Sequence, residues 1–98
     1  MTLEEVNQEL LRISDALTAS LPVLREAEAR YNRIFYDSIL RSGMGNAQSR
    51  EAEANLVCEQ EGVLQPFVDV KTEVRTLINQ KECIIEIAKN IRVMRGIE

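Results

Sequence analysis

An all-α fold, a long antiparallel helical hairpin of coiled-coil type, is predicted by three observations. Apolar residues recur at spacings of three and four along nearly the whole chain, glycine and proline are scarce, and one glycine-containing segment interrupts the pattern near its middle. The 98 residues are 45% hydrophobic and 29% charged, with four Gly and two Pro, which is a helix-forming composition at a length that suits one domain, 1–98. With only Tyr31, Phe35, Tyr36 and Phe67 as aromatics, the core is expected to be aliphatic.

Helix 1 is expected over about 3–42, because Leu3, Val6, Leu10, Ile13, Leu17, Leu24, Ala27, Tyr31 and Ile34 form one stripe, broken only at Ser20. The stripe stops at "LRSGMGNAQS", where Gly43 and Gly45 can take positive φ and Asn46 or Ser49 can cap a new helix, so a turn belongs at 43–46. Helix 2 is expected over about 47–95, with a stripe of Leu56, Val63, Phe67, Val70, Val74, Leu77, Ile84, Ala88 and Ile91 and with Gln60 and Lys81 as polar members. Rods of these lengths run roughly 60 and 70 Å at about 1.5 Å per residue.

Pro22 and Pro66 fall at nearly the same level of a hairpin that reverses near Gly45. Each removes a backbone hydrogen bond, so a kink near Pro22 and Pro66 is expected, with Gly62 loosening the approach to the second. A kinked hairpin is favoured over four shorter helices because the helix 1 stripe keeps its phase across Pro22. The pentapeptide REAEA occurs at 25–29 and at 50–54, and both copies are expected to mark helix beginnings, with Glu26, Glu28, Glu51 and Glu53 at positive helix ends and small alanines near the seam.

A second apolar file, Val57, Leu64, Ile78 and Ile85, flanks the helix 2 stripe and exceeds what a two-helix seam buries. Self-association covers such a file most simply, which predicts a homodimer or higher oligomer packed as a helical bundle with these four residues at the interface.

Chemistry is constrained by what is missing. The chain has no histidine, which removes the commonest general base and metal ligand, and with them every triad that needs imidazole and the Glu-x-x-His pairs of carboxylate metal bundles. The remaining carboxylates fall mainly outside the apolar stripe and read as a solvated face, and the G-x-G of "SGMGNAQS" lacks the strand, third glycine and lysine of a phosphate loop. No enzyme, cofactor or small-molecule substrate is expected. Cys58 and Cys83, far apart on one rod, are expected as reduced, packed thiols.

Net charge is −4, which gives no general attraction to phosphate backbones or anionic membranes. No stretch approaches a membrane span, and the acidic N-terminal "MTLEEVNQEL" is unlike a secretory signal, so a cytoplasmic location is expected. Charge is nevertheless segregated: residues 1–20 carry a net −3, 21–50 carry +2, 51–70 carry −5 and 71–98 carry +2. Lys89, Arg92 and Arg95 either complement a helix C-terminus or form a basic patch. Arg25, Arg30, Arg33 and Arg41, with Tyr31 and Tyr36 among them, are either surface arginines around core aromatics or a mixture on which single-stranded nucleic acid stacks.

The run "YNRIFYDSILRSGMGNAQSREAEANL", followed by "VRTLINQKECIIEIAKNIRVMR", resembles small phage-encoded helical-hairpin proteins of DNA recombination and replication gene neighbourhoods. Their layout resembles that of phage recombination-mediator proteins, which load a recombinase onto single-stranded DNA. The resemblance covers roughly Tyr31 to Arg95 and implies an oligomeric helical assembly in the host cytoplasm that contacts single-stranded DNA, a recombinase and a single-strand-binding protein. It makes Arg25, Arg30, Arg33, Arg41, Lys89, Arg92 and Arg95 the candidates for strand contact. Two functions are thus expected: an oligomeric adaptor or scaffold acting on an unknown protein partner, and a mediator that binds single strands.

Overall fold

The computed structural model describes residues 1–43 and 45–97; Met44, in the expected turn, and Glu98 lie outside the described residues. The described chain is all helical, with α1 over Leu3–Arg41, α2 over Ala47–Gln60 and α3 over Leu64–Ile97.

The starts of α1 and α2 and the end of α2 have local causes. Thr2 caps α1 in a reciprocal box: its Oγ1 accepts from the Glu5 amide at 3.1 Å, while the Glu5 carboxylate accepts from the Thr2 amide at 3.4 Å. Asn46 caps α2, its side-chain oxygen accepting from the Ser49 amide at 2.7 Å, which settles the choice between Asn46 and Ser49. At the end of α2, Gly62 takes φ of 73°, its amide donates to the Glu59 carbonyl at 3.1 Å and the Val63 amide donates to the Cys58 carbonyl at 3.1 Å. That paired closure is a Schellman stop, which a residue with a Cβ enters only with strain.

The second expected helix is therefore two helices, α2 and α3, separated at 61–63. The break is placed by Gly62 and not by Pro66. Pro66 is the third residue of α3, inside the first turn, where a backbone amide has no intrahelical partner and its loss costs little. α1, by contrast, continues through Pro22. The first REAEA copy accordingly lies inside α1 and does not mark a helix beginning. In the second copy Glu51 and Glu53 lie beyond the first turn of α2, which contains no acid, so they do not serve its positive end as expected.

By packing, the described chain forms two compact units: Met1–Leu21 with Glu73–Glu98, and Pro22–Thr72. In the first, the α1 stripe buries Val6 and Ile13 and the α3 stripe buries Val74, Leu77 and Ala88. Full burial of an aliphatic side chain of this size contributes about 1.5–3 kcal/mol. Ser20 donates to the Glu73 carboxylate at 3.4 Å, joining the two helices.

In the second unit the buried residues are Ala54 and Cys58 of α2. Leu56, expected on the seam, is 53% exposed, because the stop at Gly62 resets the helical phase between Leu56 and Val63. Half-buried Tyr31 stacks on Phe35 at 5.5 Å and meets Phe67 of α3 at 4.9 Å, while Phe35 meets the edge of exposed Tyr36 at 5.5 Å. The fully buried set is aliphatic apart from Cys58, as expected, but the four aromatics do gather into one cluster. The Tyr31 hydroxyl donates to the Asn55 side chain at 2.9 Å, and the Ser42 hydroxyl donates to the Glu53 carboxylate at 2.6 Å. Contacts of this kind pair descending positions on α1 with ascending positions on α2, so α1 and α2 pack antiparallel.

Candidate interaction surface

Three concavities stand out, one in the first unit and two in the second. In the first unit a groove of about 560 Å³ is lined by Asn7, Leu10, Leu11 and Ser14 of α1 and by Lys81 and Ile85 of α3. Leu11 is 65% exposed and Ile85 37%, so apolar side chains stand along this groove without cover, and Ile78, about two turns before Ile85 on α3, is 42% exposed. Ile78 and Ile85 are left out because the apolar face of α3 is wider than the stripe that α1 buries.

In the second unit a cleft of about 550 Å³ has Ile34 and Val57 among its lining, with Arg33, Asp37, Arg41 and Glu61 around them. Arg41 is paired to Asp37 at 3.1 Å across one helical turn, and Glu53, also in the lining, accepts from Ser42. The cleft thus mixes both charges, with part of each already satisfied. A smaller slot of about 220 Å³ lies beside the Gly62 stop, where Ala27 faces Val63 and Pro66. Here the two REAEA copies part company: Ala27 is half-buried in the first, whereas in the second the corresponding Ala52 is exposed and Ala54 is buried.

The four expected interface residues are divided between the units. Val57 and Leu64 are half-buried by their own chain, while Ile78 and Ile85 are exposed. The expected basic groups are divided too, with Arg25, Arg30, Arg33 and Arg41 in the second unit and Lys89, Arg92 and Arg95 in the first. All seven are exposed. Arg30 is paired to Glu26 at 2.9 Å and Lys89 reaches Glu86 at 4.0 Å, both within one helix. Exposed pairs of this type contribute about 0.3–0.5 kcal/mol, and each lowers the net charge offered to an anionic strand.

The cysteines differ. Cys58 is buried, its thiol donating to the Tyr31 carbonyl at 3.9 Å, and burial pushes its pKa above the usual thiol range. Cys83 is a free, exposed thiol, which corrects the expectation of two packed cysteines: it falls off the α3 stripe that makes the seam. Burial also raises the Tyr31 pKa, with Cys58 and Tyr36 adding to the shift.

Among the described residues no group of three or more Cys, Asp or Glu side chains is placed to hold a metal ion, and no helix is long and apolar enough to cross a membrane. In comparisons with family models, curated proteins and solved structures, nothing matches the chain. The surfaces themselves therefore carry the functional argument.

Proposed function

We propose that the chain is a non-enzymatic, oligomeric helical adaptor: a kinked antiparallel hairpin that bundles with copies of itself and acts through protein–protein contacts as a phage accessory factor in the host cytoplasm. The observation that supports this reading is a groove lined by exposed Leu11 and Ile85 beside Leu10, with exposed Ile78 about two turns from Ile85 on α3. Exposed rows of aliphatic side chains cost hydration free energy that association recovers. A chain without histidine, whose carboxylates lie mostly on solvated helix faces, is better suited to presenting surface than to chemistry. Sedimentation velocity across a micromolar concentration series tests it: a growing share of dimer or higher species is expected, and monomer throughout would overturn it.

A second reading, a recombination-mediator-like protein that binds single-stranded DNA and a recombinase, draws on a different observation. Tyr36 is 59% exposed and stands one turn from Arg33, which has no ion-pair partner among the described residues. An exposed ring beside a free guanidinium is what an unpaired base stacks on. Fluorescence anisotropy with a labelled oligonucleotide separates the two readings. Binding at low salt that weakens steeply with added salt favours the mediator, and no binding at low salt removes it.

A further inference from the structure

The groove of the first unit has rims of opposite charge. On the α1 side Glu4, Leu11 and Asp15 are spaced seven and four apart, which places them on one flank of the helix, and residues 1–20 carry four acids against the single base Arg12. On the α3 side Ile78, Lys81, Ile85, Lys89 and Arg92 recur at three and four, with Glu82 and Glu86 as the acids between them. All are exposed. Glu4, Asp15, Lys81 and Arg92 have no ion-pair partner among the described residues, and Lys89 reaches only Glu86, at 4.0 Å.

We propose that this face of the first unit is a self-association surface, on which a second copy of the chain seats the same face with its α3 against α1 and its α1 against α3. The proposal rests on the oligomeric reading above and specifies its surface, its partner and its axis. Charge selects the arrangement. A two-fold axis running along the helices sets α1 of one copy opposite α3 of the other at the same height, so acid meets base on both sides of the axis. An axis across the helices sets α1 on α1 and α3 on α3, and acid then meets acid. Leu10 and Ser14 share the groove with Lys81 and Ile85, which fixes the heights: Asp15 lies level with Lys81 of the second copy, and Glu4 level with its Lys89 and Arg92. Leu11 and Ile85 close the apolar centre between these charged pairs. Val57 and Leu64, already half-covered in the other unit, are not needed.

The test uses the full chain and sedimentation velocity, with circular dichroism to verify helicity. The double variant Leu11→Gln, Ile85→Gln alters exposed positions and is expected to weaken the dimer by about 100-fold or more. Glu4→Lys with Asp15→Lys, and separately Lys81→Glu with Arg92→Glu, are each expected to weaken it by about tenfold at low salt. Mixing the two reversed chains is expected to restore association, because each reversed rim then meets its opposite. Wild-type chain that stays monomeric overturns both this proposal and the oligomeric reading. A wild-type dimer that the Gln variant leaves intact overturns this surface alone, and charge reversal that leaves the dimer equally tight or tighter overturns the pairing of α1 with α3.

Discussion

The two units solve the same packing problem by different means. The second, Pro22–Thr72, is held by particular contacts: a capped helix start at Asn46, a Schellman stop at Gly62, ring contacts around Tyr31, a buried Cys58 and hydrogen bonds from Ser42 to Glu53 and from Tyr31 to Asn55. The first is a two-stripe zipper of Val6, Ile13, Val74, Leu77 and Ala88 with the Ser20 to Glu73 bond across it. Directional contacts fix register, while Val23, Tyr36, Leu40, Leu56 and Val68 of this unit stay exposed. An aliphatic stripe contributes burial without such direction, and here it leaves Leu11, Ile78 and Ile85 outside. The unit with the plainer interior is the one whose groove is lined by exposed Leu11 and Ile85.

The largest expected contrast is between the two thiols. Cys83 is expected to react with a thiol reagent at the rate of an exposed cysteine, while Cys58 waits on local opening and reacts at least about 100-fold more slowly. Equal rates would mean that the second unit is not the tightly held one. The raised Cys58 pKa has a fixed sign in stability. The folded unit prefers the neutral thiol, so the stabilisation is complete below the ordinary thiol pKa of about 8.5 and is lost as pH rises through the higher folded value. Tyr31 adds a loss of the same sign above the ordinary phenol range. Urea melts taken from neutral to alkaline pH are expected to show falling stability, and the Cys58→Ala variant is expected to lose the earlier part of that fall.

Next comes the zipper itself. Ile13 is fully buried, so Ile13→Ala is expected to cost about 3 kcal/mol by urea denaturation, whereas Leu11→Ala at an exposed position of the same helix costs well under 1 kcal/mol in the monomer. Comparable losses would show that the first unit buries more than its stripe.

The stop between α2 and α3 gives a smaller effect. Gly62 has open space where a Cβ would stand but a positive φ, so Gly62→Ala is expected to cost about 1–2 kcal/mol through backbone strain, with Gly43→Ala as a near-neutral control. A neutral Gly62→Ala would mean that the turn is not held in the left-handed region. Smallest of all, Asn46→Ala removes the α2 cap and is expected to cost about 1 kcal/mol, while Arg30→Ala removes an exposed pair with Glu26 for about 0.5 kcal/mol or less. If Arg30→Ala proved the costlier, surface charge and not capping would organise the second unit.

Much of this was legible along the chain. Every member of the α1 stripe from Leu3 to Ile34 is buried or half-buried, since a period near 3.6 on a continuous helix carries its phase without loss. Asn46 was readable as a cap because a side-chain acceptor at that position acts on amides only three residues away. The Thr2 and Glu5 box follows a readable S/T-x-x-E spacing, which begins at the second residue, ahead of the apolar stripe. The α2 seam was not legible, because a stripe traced through Leu56 and Gln60 assumes one helix and the Gly62 stop turns the phase so that Ala54 and Cys58 are buried. Of the site residues, the sequence placed Ile78 and Ile85 off the seam, but nothing in their spacing distinguished them from Val57 and Leu64.

By itself, then, the sequence determined the helical class, the starts of α1 and α2, the α1 stripe and the absence of imidazole chemistry, because these depend on residue type and on contacts a turn or less away. Only the tertiary structure decided that the helix breaks at Gly62 and not at Pro66, that the two copies of REAEA bury different alanines, and which half of the second apolar file stays in water. Those outcomes depend on which neighbour arrives at a given helix face, and an identical pentapeptide carries no record of what will be packed against it.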